Sequence, residues 1–158
     1  MMDSTDDRAG AAAAPPAPPL IERLASQPGA SWVDASSIDA FIALPGDRAL
    51  FFAGDPVRFP ECLDVAVVLP ELQRAFPGRF AVGVVRREDE SALARRYGSL
   101  RWPALVFLRD GRYVTTIAGM LDWDVYLGCV AQALEMPTSR PPTIGIAVVA
   151  EGASSSCH

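Results

Sequence analysis

Apolar positions along this chain alternate between helical and strand-like spacing, and each switch marks an element. Leu20, Ile21, Leu24 and Ala25 recur at helical intervals up to Pro28-Gly29, which predicts a short amphipathic helix. Trp32-Val33 reads as a brief strand. Asp34 or Ser36 can then cap a helix whose apolar face is Ile38, Phe41, Ile42 and Leu44, ended by Pro45-Gly46. Ala49 to Ala53 is continuously apolar, the pattern of a central strand covered on both faces. After Gly54-Asp55-Pro56 and a loop through Phe59-Pro60, a third helix carries Val65, Val68, Leu69, Leu72 and Phe76 on one side, with Pro70 inside it and Pro77-Gly78 at its end. Arg79 to Val85 is the next buried strand. Glu88-Asp89-Glu90 begins a helix that Arg95-Arg96 and Gly98 finish, a charge order matched to the helix dipole and expected to be solvated.

The stretch from Leu100 to Val114 then predicts a hairpin. Ala104 to Leu108 is an apolar strand that starts behind Pro103 and stops at Asp110-Gly111, where glycine supplies a positive φ, and Tyr113 to Ile117 returns beside it. Pro103 cannot donate to a sheet ladder, so Trp102-Pro103 marks a corner and is a candidate cis peptide. A last amphipathic helix carries Val125, Tyr126, Cys129, Val130, Ala133 and Leu134, and Pro137 closes it. Parallel strands joined by helices, followed by an antiparallel hairpin and a helix, predict an α/β fold with a mixed central sheet flanked by helices.

Composition narrows the chemistry. The 158 residues are 50% hydrophobic and 21% charged, which suits one folded domain between unlike ends. Residues 1–19 read as a disordered Ala/Pro-rich leader, 20–137 as the domain and 138–158 as a flexible tail, in which Ile144 to Val149 has β propensity. A net charge of -5 argues against a nucleic-acid or anionic-membrane surface and favours solubility or a basic partner. All 14 cationic side chains are arginine and the single histidine is His158, so lysine chemistry, histidine triads and imidazole metal sites are excluded from the domain by inventory. Three widely spaced cysteines indicate neither a disulfide framework nor a zinc cluster, and no cofactor or metal is expected. The acidic leader does not match a secretory signal and no apolar run is long enough to span a bilayer, so no membrane insertion is expected and the cytoplasm is the expected location.

The element order and landmarks resemble the thioredoxin fold from about Trp32 to Glu135: the buried strand Ala49 to Ala53, the helix with Pro70, Tyr97-Gly98, Trp102-Pro103, Asp110-Gly111 and Gly119. Thioredoxins carry a Cys-x-x-Cys pair at a fixed distance before the helix proline. Here Cys62 falls at the first cysteine and Val65 at the second, so a dithiol cycle is not available. A lone thiol at a helix N-terminus can still act as a mixed-disulfide nucleophile. Alternatively, Cys62 is a packing residue, with Glu61 and Asp64 opposing its ionisation.

Within that fold, Gly54-Asp55-Pro56-Val57-Arg58-Phe59-Pro60-Glu61, Pro70-Glu71-Leu72 and Arg101-Trp102-Pro103-Ala104 resemble the thioredoxin-like accessory proteins of nickel-iron hydrogenase maturation, the HyaE, HoxO and HupG type. The resemblance implies a non-catalytic chaperone that binds the hydrogenase small-subunit precursor and its twin-arginine signal peptide before cofactor assembly and export. The residues themselves agree with a binding role. In a thioredoxin-like fold the backbone before the corner proline can pair with an extended peptide, and Trp102 would supply that backbone and a large apolar face. Across the groove of such a fold would lie Phe59, Pro60, Glu61, Cys62 and Asp64, facing Trp102-Pro103, with two carboxylates suited to an arginine-bearing peptide. The other readings are a monothiol redox protein using Cys62, and a thioredoxin-like module for another client.

Overall fold

The computed structural model describes residues 16–99 and 101–142. The chain runs through α1 (Pro19–Ala25), β1 (Ala30–Val33), α2 (Ile38–Ala43), β2 (Asp47–Phe52), α3 (Glu61–Ala75) and β3 (Phe80–Val85). A 3-10 turn (Arg87–Asp89), α4 (Glu90–Arg96), β4 (Ala104–Arg109), β5 (Arg112–Ala118) and α5 (Trp123–Glu135) follow. Most of the expected leader and the apolar run 144–149 lie outside the described residues. Among the described residues no helix is long and apolar enough to cross a membrane.

The five strands form one sheet in the order β1-β3-β2-β4-β5. β3 lies parallel to both β1 and β2, whereas β4 is antiparallel to β2 and β5. β2 therefore has a neighbour on each side, as its unbroken apolar run requires. Its residues alternate between two cores. Ala49 and Phe51 face α1, α3 and α5, packing with Leu24, Leu69, Leu72, Tyr126 and Val130. Leu50 and Phe52 face α2 and α4, packing with Ile38, Ile42, Leu93 and Tyr97. Leu50, Phe51 and Phe52 are fully buried, and burying each side chain contributes about 1.5–3 kcal/mol.

Two residues expected on apolar faces lie outside them. α2 ends at Ala43, so Leu44 is already extended and stands exposed. Val125 falls on the rim of the α5 stripe formed by Tyr126, Cys129, Val130, Ala133 and Leu134 and is 44% exposed. The helix α3 runs on through Pro70 for five further residues. At the hairpin both turn residues have positive φ, Asp110 at 51° and Gly111 at 83°, the geometry of a type I′ turn. Asp110 also accepts the Gly46 amide through Oδ1 at 3.0 Å, tying the turn to the start of β2.

The same end of the sheet is closed by Arg109. Its Nε donates to Asp47 Oδ1 at 2.8 Å and its Nη2 to Asp47 Oδ2 at 3.0 Å. Nη1 donates to the Met136 carbonyl at 2.5 Å, and Nη2 to those of Ala133 at 3.1 Å and Leu134 at 3.2 Å. One guanidinium thus joins β2, β4 and the carbonyl end of α5, where a cation also meets the negative end of the helix dipole. Replacing Arg109 with Ala strands a half-buried carboxylate and removes the donor from three carbonyls. The expected loss in urea unfolding is about 2–4 kcal/mol. Arg109→Lys restores only part of it, because an ammonium cannot make the planar two-bond fork; full recovery by lysine would show that charge alone matters.

Candidate functional site

At the carboxyl end of β2, where the chain leaves the sheet, it passes through Gly54 with φ at +82°. A Cβ on Gly54 would stand 3.0 Å from the Trp102 Cβ and 3.1 Å from the Phe59 ring, so glycine suits both this φ and the close approach of the two side chains. The Phe59 and Trp102 rings lie 6.5 Å apart, and Phe52 meets Trp102 edge-on at 6.3 Å. The loop from Gly54 to Pro60 is held by its own bonds. The Phe59 amide donates to the Asp55 carbonyl at 2.7 Å, and Asp55 Oδ1 accepts the Val57 amide at 2.9 Å. The Cys62 amide donates back to the Phe59 carbonyl at 2.9 Å, which fixes the first turn of α3 to the loop.

The Trp102-Pro103 peptide is cis, as the corner predicted. Pro103 is buried and its carbonyl accepts the Gly119 amide at 2.7 Å. Its contribution is therefore to the shape of the corner. Among the described residues the Trp102 amide and carbonyl make no hydrogen bond, and its indole is half-exposed. Pro60, Glu61 and Asp64 are exposed around the start of α3, and Phe59 is half-buried beside the indole. Phe59 and Trp102 are thus in contact, the two carboxylates lie on the neighbouring helical turn, and Pro103 lies beneath.

Sequence spacing did not single out three exposed apolar residues that sit in this loop or follow the corner in the chain. Gly119 is tied to Pro103, so Met120, 38% exposed, follows directly on the corner, and Trp123, 42% exposed, opens α5 between Asp122 and Asp124. Val57, at 86%, is exposed in the loop itself. The signal available in the sequence was apolar residues set among acids outside any helical stripe.

Glu90 departs furthest from expectation. The run Glu88-Asp89-Glu90 was expected to be a solvated helix start, yet Glu90 is only 2% exposed. The 3-10 turn through Asp89 rotates the first residue of α4 inward. There both Glu90 carboxylate oxygens accept the Gly54 amide, Oε2 at 3.0 Å and Oε1 at 3.2 Å. The nearest cation is the half-exposed Arg87, 3.6 Å from Glu90 Oε1 and 3.8 Å from Asp55 Oδ2. Burial pushes the Glu90 carboxyl up to about 6, against the pull of the Gly54 amide, Arg87 and the Ala53 amide.

Cys62 is fully buried on the same side of the sheet as α3. Burial pushes its thiol up to about 11, the carboxylates of Glu90, Glu61 and Asp55 push in the same direction, and Arg87 opposes them. At neutral pH the side chain is a protonated packing group, the opposite of the low-pKa, accessible thiol that nucleophilic chemistry needs. Cys129 is buried on the core side of α5. No group of three or more His, Cys, Asp or Glu residues among those described is placed to hold a metal.

Glu90 gives stability a pH dependence. Its folded value of about 6 exceeds the ordinary 4.5, so the native state binds the proton more tightly and ionisation disfavours folding. The contribution of the protonated form is complete below the unfolded value, falls as pH rises through that window, and is gone above the folded value. A shift of this size corresponds to about 2 kcal/mol. Glu90→Gln keeps an acceptor for Gly54 without the charge, so its stability relative to wild type should rise by about that amount between pH 4.5 and 7 in urea melts; a constant difference across the range would show that Glu90 titrates normally.

A family model described as hydrogenase-1 expression protein HyaE matches residues 20–126. The hydrogenase expression/formation protein HoxO of Cupriavidus necator is 62% identical over 143 residues, covering 89% of this chain and 89% of its own. HupG of Bradyrhizobium diazoefficiens, another hydrogenase expression/formation protein, is 39% identical over 125 residues, 77% of this chain and 84% of its own. In three dimensions a mutant thioredoxin from Halobacterium salinarum superposes with a TM-score of 0.55 at 23% identity, covering 67% of this chain and 91% of that one, which establishes a thioredoxin-like fold. Matched over most of its length by the family model and by close relatives, the chain belongs to the HyaE family of hydrogenase expression proteins.

Proposed function

We propose that this protein acts in hydrogenase maturation as a non-catalytic chaperone in the cytoplasm, docking the twin-arginine signal peptide of the small-subunit precursor on the face around Trp102 before cofactor assembly and export. Family membership supports the maturation role. The observation that carries the docking site is the Trp102 main chain, whose amide and carbonyl are without partners among the described residues beside an apolar surface edged by acids. An extended peptide satisfies such groups by strand-like pairing. Its apolar segment would cover Trp102, Phe59 and Met120, and its two arginines would meet Glu61 and Asp64, which carboxylates can bind through paired N–H donors.

Binding of the full chain to a synthetic small-subunit signal peptide, followed by calorimetry, tests this reading. Trp102→Ala removes the central aromatic anchor and should weaken binding by about 30-fold or more, the range of a hot-spot residue. Reversing both Glu61 and Asp64 to Arg should abolish measurable binding while leaving the circular dichroism spectrum unchanged. Retained affinity in both variants would place the partner elsewhere.

A catalytic role for Cys62 would require it to react in the folded protein. Under native conditions the Cys62-containing peptide should instead resist alkylation by iodoacetamide, with labelling appearing only at denaturant concentrations that unfold the chain, as followed by mass spectrometry. Rapid labelling of Cys62 in the native state would restore the redox reading.

A further inference from the structure

Glu90 is buried and charged, yet the fold has no evident use for its charge. Its Arg87 contact is long and half-exposed, and burial works against ionisation. A neutral acceptor would satisfy the packing and the Gly54 amide with less desolvation penalty. What a carboxylate supplies beyond that is a strong hydrogen-bond acceptor. Both of its oxygens accept the Gly54 amide.

Gly54 is where the docking loop leaves the sheet and where the backbone comes within van der Waals contact of Trp102 and Phe59. From it a continuous series of bonds runs outward. Asp55 accepts the Phe59 amide, Phe59 accepts the Cys62 amide, and Cys62 lies in the first helical turn, between Glu61 and Asp64. Arg87 spans Glu90 and Asp55 on the other side of the loop. Every residue proposed to meet the peptide on the α3 side is therefore positioned through Gly54.

We propose that Glu90 is a positioning residue for peptide recognition: by gripping the Gly54 amide, its ionised carboxylate holds the 54–64 segment against Trp102, and neutralising it lowers the fraction of molecules with a binding-competent face. This rests on the docking reading above. The titratable and charged groups that face Glu90 are Arg87 from its own turn, Asp55 from the loop, and Glu61 and Cys62 from α3. As pH falls through the range where Glu90 takes up its proton, the grip weakens from a charge-assisted bond to a neutral one. Apparent affinity falls with the competent fraction.

The test measures binding of the small-subunit signal peptide to the full chain between pH 5 and 8, together with the exchange protection of the Gly54 amide by NMR, for wild type and Glu90→Gln. The wild type should bind about three- to tenfold more weakly at pH 5 than at pH 7.5. Glu90→Gln, which preserves shape and an acceptor, should bind at pH 7.5 about as weakly as wild type does at pH 5, with no further loss on acidification. A role confined to packing would not erase the pH profile. Gly54 protection, corrected for intrinsic exchange, should fall in the variant and in acidified wild type. If Glu90→Gln keeps both the affinity and the pH profile of wild type, the positioning role is overturned. If wild type binds no peptide at any pH, the docking reading fails, and the Gly54 protection then decides separately: unchanged protection in the variant would overturn the grip itself.

Discussion

The face at the carboxyl end of the sheet depends on how the backbone turns at Gly54. β2 is packed on both sides and cannot shift, so the chain must leave it at a fixed point, directly under Trp102. Glycine allows the approach and the Glu90 carboxylate holds the amide there. The α3 helix begins seven residues later, and its first turn is bonded back to that loop. Rigid sheet, close backbone contact and buried acceptor together place an aromatic surface and two carboxylates side by side.

The other end of the sheet is closed by a different device. There Arg109 collects Asp47 and the last carbonyls of α5, while Asp110 bonds to Gly46. These contacts join the hairpin to the parallel half of the sheet, so the fold is secured away from the candidate docking face. A buried carboxylate that works against stability can be accommodated where it is because the opposite end does not depend on it.

The strands were legible because they are covered on both faces. A run such as Ala49 to Phe52 has no polar alternation to offer, and only a central strand satisfies it. The corner and hairpin were legible from Pro103 and Asp110-Gly111, whose backbone preferences are local. Glu90 was not legible, since three acids in a row look equally solvated and the inward one is chosen by a 3-10 turn that no periodicity announces. Arg109 and Asp47 are 62 positions apart in the chain and meet only through the β2–β4 register, so no local pattern could pair them. Met120 was hidden for another reason: it follows Gly119, which only the Gly119 to Pro103 bond brings to the corner.

One electrostatic field bears on both the raised pKa of the Cys62 thiol and the partner proposed for the face. Burial disfavours a thiolate at Cys62 most, and Glu90, Glu61 and Asp55 push the same way. Negative charge in the same place attracts guanidinium groups. The requirements therefore oppose each other: neutralising the acids would help a nucleophilic thiol but remove the attraction for an arginine-bearing peptide. At Cys62, the free cysteine among the described residues, burial and these acids outweigh the opposing charge of Arg87, so the arrangement that disfavours a thiolate is the one the proposed peptide would use.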